Sequence, residues 1–256
     1  MDKEFDKLDL LFGSKLDRRL CFSLTHYAGV QNIRDLTISA KIVKPEFFVM
    51  RDTLFIWMPT PKQDKEYVSV FQKELSRKMN SKIKNIVIDV RSNIGGNIHT
   101  FISCVYPLFG QKLESDYLHG YDSSDSIIVN FCVENGKSKV IFLDQPGNLV
   151  ESIPKTKIYN FDTAKISIIC NEFTMSSGEI MCLLVKKFGG IIYGDSQTGG
   201  LVNGNKKYTI NCDDGYANVL SPFYNIGYDS YIPKGPILPE KNINDLANSA
   251  LFSSSR

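Results

Sequence analysis

The sequence lacks the features that mark several broad classes of protein. Its 256 residues carry a formal net charge of only +2 and show no dense run of Lys and Arg, so composition favours neither nucleic acid nor an anionic membrane as a partner. No apolar run approaches the roughly 20 residues that a membrane-spanning helix needs. The charged N-terminus has no apolar core of a secretory signal, which predicts a cytoplasmic protein as the chain stands, or an extracytoplasmic one if an export signal has been removed.

Cysteine and histidine are also sparse. The six cysteines form no C-x-x-C pair, and Cys104, Cys170 and Cys182 lie in apolar segments, which is typical of small buried side chains. This pattern predicts no disulfide, no metal site and no cofactor. The chain has three histidines, so few residues are available as a general base near neutral pH: His26, His99 and His119.

Apolar runs and helical spacing predict an α/β domain in which strands and helices alternate. In chain order we expect a β-hairpin at 47–58, a helix at 64–80, a buried strand at 82–90, a helix at 97–109, a strand at 166–170, a helix from about 175 and a strand at 190–194. Segment 110–138 is polar and reads as a surface excursion or hairpin with one strand at 126–131, and another strand is expected at 139–143. Segment 145–155 reads as a loop, and 208–220 as a short terminal hairpin.

One stretch combines a buried strand, a polar turn and a helix, and it places Ser176 and Ser177 at the helix start. Backbone N–H groups point outward there and the helix dipole favours negative charge, which suits a nucleophile whose reaction passes through an oxyanion. The same residues fit a simpler interpretation, because Ser176 and Glu179 form the S-x-x-E pattern of a capping box.

A second strand-to-helix turn contains the pair Gly95-Gly96. Paired glycines allow the backbone to turn sharply and to approach a ligand with free N–H groups. A plain connecting turn is the alternative interpretation, and it explains one glycine better than two.

Together these stretches resemble the C-terminal processing (tail-specific) serine peptidases, which have a ClpP/crotonase-like α/β core. The family's strand motif, D-x-R-x-N-x-G-G, is matched by Asp89, Arg91, Asn93, Gly95 and Gly96, and its nucleophile motif, T-x-S-x-x-E, by Thr174, Ser176 and Glu179. A third motif, G-[DE]-x-T-x-G, is matched by Gly194, Asp195 and Gly199, but Gln197 stands at the Thr position and Thr198 comes one place late.

The resemblance implies roles for individual residues. Ser176 would be the nucleophile, and the backbone N–H groups of Gly96 and Ser177 would form the oxyanion hole. Gly95, His99 and Gly199 would line the cleft.

The general base implied by the resemblance is a histidine. The PDZ-bearing branch of the family uses a lysine in the third motif, and none is present at Thr198-Gly199-Gly200. The tricorn-like branch, which this chain resembles without a PDZ domain, uses a histidine in an N-terminal turn. The pair Thr25-His26 resembles that turn and makes His26 the candidate base. The carboxylate that supports the histidine has no matching Glu here, which leaves Asp229 and Glu240 as candidates.

These matches predict a helical N-terminal segment (1–45) that supplies the base, a peptidase domain (46–245) and a tail (246–256). The implied function is that of a serine endopeptidase or C-terminal processing peptidase acting on peptides or unfolded proteins. Two alternatives stay open: a catalytically silent ligand- or peptide-binding domain of the same fold, and a crotonase-like enzyme that uses the Gly95-Gly96 amides on a thioester. The intact T-x-S-x-x-E motif speaks against the thioester enzyme, whose chemistry needs no serine there.

Overall fold

The computed structural model describes most of the region after the N-terminal segment. The described residues are 44–60, 64–91, 93–143, 147–159, 165–200, 202–212, 215–229 and 231–246. The predicted helical segment before residue 44, which includes Thr25 and His26, lies outside them, as does the tail beyond residue 246.

Within these residues the strands form two six-stranded sheets. The strands are β1 Glu46–Met50, β2 Thr53–Trp57, β3 Asn85–Asp89, β4 Ser115–Tyr121, β5 Ile127–Glu134, β6 Lys137–Phe142, β7 Leu149–Ser152, β8 Lys165–Cys170, β9 Ile191–Gly194, β10 Asn203–Cys212, β11 Gly215–Gly227 and β12 Lys241–Asn242. The helices are α1 Asp64–Lys78, α2 Ile98–Phe109 and α3 Ser177–Lys187, with a 3₁₀ helix at Gly110–Leu113.

The first sheet has the order β1-β2-β3-β8-β9-β12. Strand β1 pairs antiparallel with β2, and the other neighbours are all parallel. The sequence explains this, because β2 and β3 are continuous apolar runs that are buried at nearly every position, as expected for parallel strands covered on both faces. Ile86 and Ile88 face the large core beneath the helices, while Val87 packs with Trp57 on the opposite face. The predicted α/β class is confirmed.

Helix α2 lies between the two sheets. Every residue of the helix except Ile98 is buried, so it has no polar face. Its side chains share one core with Leu118, Phe131 and Val140 of the second sheet. A helix that is apolar on all sides is expected where both faces are covered.

The second sheet corrects three of the sequence-based expectations. Segment 110–138 is not a surface excursion with one strand, segment 145–155 is not only a loop, and the terminal hairpin extends well beyond 208–220. These segments form an antiparallel sheet with the order β10-β11-β4-β5-β6-β7. The sequence pattern indicated some of these strands but not β4, β7 or their assembly into one sheet. Strand β7 is exposed along its whole length, and β11 pairs with β4, a strand that lies far away in the sequence.

The packing of α1 on the first sheet gives a stability prediction. Phe71 is fully buried, and its ring lies edge-on to Phe47 of β1, with a centroid distance of 5.0 Å. We expect Phe71→Ala to lower the free energy of unfolding by about 3–5 kcal/mol, because it removes buried apolar surface and leaves a cavity. Urea denaturation measures the loss. Ser69→Ala, at an exposed position on the same helix, is the control and should change stability by less than about 0.5 kcal/mol.

Candidate active site

The candidate site lies where β3 and β8 end side by side. These strands are parallel neighbours, and Asp89 is opposite Ile169 in the ladder. The turns that follow them are joined by two hydrogen bonds. The Met175 N–H donates to Asn93 O at 2.9 Å, and the Thr174 hydroxyl donates to Val90 O at 3.0 Å. The structure therefore brings the Gly-Gly turn and the Ser176 turn together.

The fixed polar residues of the first motif shape the turn after β3. Asp89 is buried and accepts from the Arg91 guanidinium in a salt bridge of 2.8 Å and from the Arg91 N–H at 3.0 Å. Asn93 is fully buried. It donates to Met58 O at 2.8 Å and accepts from the Gly95 N–H at 3.0 Å. These side chains hold the backbone of the turn in place.

Gly95 lies directly against Ser176. Its φ is +113°, and a Cβ built there would lie 2.8 Å from Ser176 Cβ and 3.2 Å from Ser176 Oγ. Only glycine combines this φ with such a close approach without strain. The predicted neighbourhood of Gly95 and Ser176 is thus present in the structure, with Ser176 Oγ beside the glycine turn.

Ser176 has an unusual backbone conformation. Its φ and ψ are 52° and −120°, and such values cost a non-glycine residue about 1–3 kcal/mol. Strain of this kind persists only when surrounding contacts enforce it, and it is concentrated at functional sites. A serine on a sharp strand-to-helix turn is also how α/β-hydrolases expose their nucleophile.

Two backbone amides close to Ser176 are available to a ligand. Among the described residues, neither the Gly96 N–H nor the Ser177 N–H has a hydrogen-bond acceptor. The two residues are in contact, because the Ser177 hydroxyl donates to Gly96 O at 3.2 Å. Two free amides beside a serine hydroxyl can stabilise a developing oxyanion.

Glu179 holds the nucleophile turn from inside the protein. Its side chain is fully buried, and one carboxylate oxygen accepts from the Ser176 N–H at 3.1 Å, which confirms Glu179 as a helix cap. The other oxygen accepts from the Thr198 hydroxyl and from the Gly200 N–H, the latter at 2.9 Å. A buried carboxylate needs such donors because its desolvation is costly.

The third loop is fixed by Thr198, whose importance the motif comparison missed. Thr198 is buried, and Gln197, at the motif's Thr position, is exposed. The Thr198 hydroxyl donates to Glu179 and accepts from the Ile237 N–H at 2.7 Å. The displaced Thr in the sequence was the available signal. Gly199 also lies at the site, since its N–H donates to Thr174 O at 2.9 Å.

His99 lies in the interior, beneath the Gly-Gly turn. Its side chain is buried, Nδ1 is 2.9 Å from Ser138 Oγ of β6, and Nε2 has no partner among the described residues. Its backbone N–H donates to Asn97 Oδ1 at 2.9 Å, which caps α2. Burial lowers the pKa of His99, and the Glu151 carboxylate opposes this shift.

The two candidate carboxylates lie near the opposite end of α3 from Ser176. Glu240 forms a 3.2 Å salt bridge with Lys186 in the last turn of α3. Asp229 is exposed, in a turn between Tyr228 and Tyr231, whose rings contact Lys187 and Lys186. Because α3 has 11 residues, about 16 Å separates its two ends. The structure therefore does not bring either carboxylate together with Ser176.

The proposed base pair, Thr25 and His26, lies outside the described residues, so its approach to Ser176 stays a prediction. In the described part of the chain, no group of three or more His, Cys, Asp or Glu side chains is placed to hold a metal ion. None of the helices described there is long and apolar enough to cross a bilayer.

Comparison with known proteins identifies a family. The sequence model of peptidase family S41 matches residues 52–243, which is most of the chain and includes all three motif regions. A search of curated protein sequences finds no match.

Solved structures share the fold. A lipoprotein from Streptococcus agalactiae is similar with a TM-score of 0.60 and 21% identity, over 88% of this chain and 74% of that one. Mature CPAF is similar with a TM-score of 0.51 and 12% identity, over 84% of this chain and 53% of that one. The photosystem II D1 C-terminal processing protease matches with a TM-score of 0.47 and 18% identity, over 75% of this chain and 42% of that one. The chain thus spans about half the length of the last two proteins.

The contact between Gly95 and Ser176 can be tested by adding a single methyl group. We expect Gly95→Ala to destabilise the protein by about 2–4 kcal/mol, because it combines a left-handed φ with overlap against Ser176. Gly136→Ala is the matched control, since Gly136 also has a positive φ but open space around its Cα, and should cost about 1–2 kcal/mol. Urea denaturation measures both variants, and equal losses of unfolding free energy in the two would show that residue 95 is not tightly packed against Ser176.

The buried position of His99 predicts a pH dependence of stability. Its pKa is lower in the folded state than in the unfolded chain, so the unfolded chain binds more protons as the pH falls through about 6.5. We expect the free energy of unfolding to decrease from pH 7 to pH 5.5, with a His99 contribution of at most about 1.4 kcal/mol per pH unit.

His99→Gln should remove that contribution. His119→Gln is the control, since His119 is only partly buried and its ring bonds Asn130. This variant should keep the His99 contribution to the change of unfolding free energy with pH. Urea denaturation at several pH values measures both. If the unfolding free energy of His99→Gln changed with pH as steeply as that of the parent, His99 would not be the source of the pH dependence.

Proposed function

Because this chain belongs to peptidase family S41, we propose that it hydrolyses peptide bonds through an acyl-enzyme on Ser176. The observation that carries the proposal is the strained backbone of Ser176 at the start of α3, beside the unbonded Gly96 and Ser177 amides. The contacts that enforce this backbone, such as the Ser176 N–H bond to Glu179, hold the serine beside both amides, so that one substrate carbonyl can reach all three groups.

The chemistry follows from these positions. Ser176 Oγ attacks the carbonyl carbon as the general base removes the hydroxyl proton, and the carbonyl oxygen becomes an oxyanion held by the Gly96 and Ser177 N–H groups. The protonated base then transfers its proton to the leaving amine as the C–N bond breaks. Water, activated by the same base, hydrolyses the ester and releases Ser176.

His26 is the residue that we propose as the base. A neutral imidazole has a suitable pKa for proton transfer near pH 7. No lysine stands in the Thr198-Gly199-Gly200 segment, so a serine–lysine pair built from this loop is excluded. Base assistance contributes about 10²–10⁴-fold to the rate, and one oxyanion donor about 10²–10³-fold.

The substrate class that we propose is an extended peptide or unfolded protein, cut internally or near its C-terminus. Gly96 is exposed and Ser176 is half-buried, so an extended chain can approach the turn with its scissile carbonyl against the two amides. The competing function, a silent peptide-binding domain, would keep the same edge and lose the reactivity of Ser176.

A fluorophosphonate probe tests the proposal, since it reacts with activated serines. We expect the full-length parent to be labelled, Ser176→Ala to be unlabelled and His26→Ala to be labelled about 10²–10⁴-fold more slowly. Ser124→Ala is the control, because Ser124 is exposed in the turn between β4 and β5, and should be labelled like the parent. An unlabelled parent would favour the silent domain, and labelling of Ser176→Ala would reject Ser176 as the nucleophile.

A further inference from the structure

A groove lies between helix α1 and the segment 154–157 that follows β7. Its volume is about 420 Å³. The side chains that line it are basic or polar apart from one proline: Lys65, Ser69, Gln72, Lys73, Ser76, Pro154, Lys155, Thr156 and Lys157. We call it the lysine groove. Two of its lysines come from each wall.

The positive charge of the lysine groove is not neutralised locally. No carboxylate lines the groove, and in the described part of the chain none of its four lysines forms an ion pair. Two acidic residues on α1 pair with basic groups outside the groove. Glu66 pairs with Lys44 at 2.8 Å and Glu74 with Arg77 at 2.6 Å. Lys157 also lies over the Tyr159 ring, 5.2 Å from its centroid, a contact that leaves its positive charge in place. Together the four ammonium groups attract anions to this place.

Hydrogen bonds connect a residue near each wall of the groove to the turn after β3. Helix α1 begins shortly after Thr60, whose hydroxyl accepts from the Ile94 N–H at 2.9 Å. The other wall follows β7, whose Glu151 accepts from the Asn97 side-chain amide at 2.9 Å. Ile94 and Asn97 flank the Gly-Gly turn. The groove therefore leads away from the turn that carries the proposed oxyanion hole.

The lining indicates what kind of ligand fits. Ammonium, hydroxyl and amide groups can all donate hydrogen bonds to carboxylates, while no aromatic ring lines the groove to stack on a nucleobase. From Lys65 to Ser76 the helix rises about 16 Å, which equals the length of about five extended residues. These dimensions and donors suit an extended acidic peptide better than a nucleic acid or an apolar ligand.

We propose that the lysine groove binds an acidic, extended segment of the peptide substrate, at a distance from the bond that is cut. The inference rests on the proposed peptidase function in so far as it calls the bound peptide a substrate. The binding of an acidic peptide can nevertheless be measured without any cleavage. The groove adds a preference for substrates that carry Glu or Asp on one side of the cleavage point.

Fluorescence anisotropy with a labelled peptide of alternating Glu and Ser tests this, using full-length protein with Ser176→Ala so that nothing is cut. The neutral comparison is the same peptide with Gln in place of Glu. Lys73→Gln with Lys155→Gln removes one charge from each wall. Lys82→Gln with Lys165→Gln is the charge-matched control, because these lysines are exposed near the N-terminal ends of β3 and β8, at the opposite edge of the sheet from Ser176.

We expect the acidic peptide to bind and the Gln peptide to bind more weakly or not at all. The groove variant should weaken acidic-peptide binding about 2- to 30-fold, the control variant should not, and added salt should weaken the interaction. Equal losses in both variants would indicate a general charge effect and overturn the proposal. So would absent binding, or groove-dependent binding of single-stranded DNA without binding of the acidic peptide.

Fluorophosphonate labelling of the groove variant, with Ser176 intact, separates the two proposals. Labelling at the parent's rate together with loss of peptide binding supports a groove that is distinct from the reactive serine. Peptide binding that depends on the groove in a protein that is never labelled would reject the peptidase and keep the acidic-peptide site. Labelling without groove-dependent binding would reject the groove alone.

Discussion

The buried carboxylate of Glu179 is the interaction on which the rest of the site depends. Several kcal/mol are lost when a carboxylate is desolvated without donors, and here three donors from two segments supply hydrogen bonds: the Ser176 N–H, the Thr198 hydroxyl and the Gly200 N–H. The bond to Ser176 opposes relaxation of its strained backbone. The bonds to Thr198 and Gly200 attach the third loop, so one side chain fixes the nucleophile turn and the loop beside it.

Five of the six strands of the first sheet and the three helices could be predicted from the sequence, because their signals are local. The two-residue strand β12 gave no such signal. Apolar runs such as Asn85–Asp89 identify buried parallel strands, and the helical spacing after Ser176 identifies α3. In the second sheet, strands β4 and β7 give no comparable signal. Strand β7 is exposed throughout, and the partners of β4 include a strand near the C-terminal end of the described region. Pairing of that kind depends on tertiary structure, which a single sequence does not display.

The residues of the candidate site also divide into those that the sequence located and those that it did not. Motif matches located Ser176, Gly95 and Gly96, since a close approach of two backbones requires glycine at a fixed position. They did not locate Thr198 correctly, because a shift of one residue within a loop still allows the hydroxyl to reach Glu179. They also could not show that Asp229 and Glu240 pack near the far end of α3, since nearness to a motif in sequence does not fix the distance to Ser176.

The second sheet, whose assembly the sequence patterns did not show, also supports the edge of the first sheet that carries Ser176. Ser138 of β6 contacts the buried His99 ring, and Glu151 of β7 accepts from the Asn97 side chain. Both contacts act at the start of α2, one and three residues after Gly96, so they limit how far the Gly96 amide can move. A donor that is fixed before the substrate arrives needs no reorganisation as charge develops. The chain that leaves β7 then forms a wall of the lysine groove, where lysines from separate parts of the sequence converge. A basic site can therefore arise in a chain of almost neutral net charge. Composition determines only the net charge, whereas folding determines where the charges gather and so the local electrostatic potential.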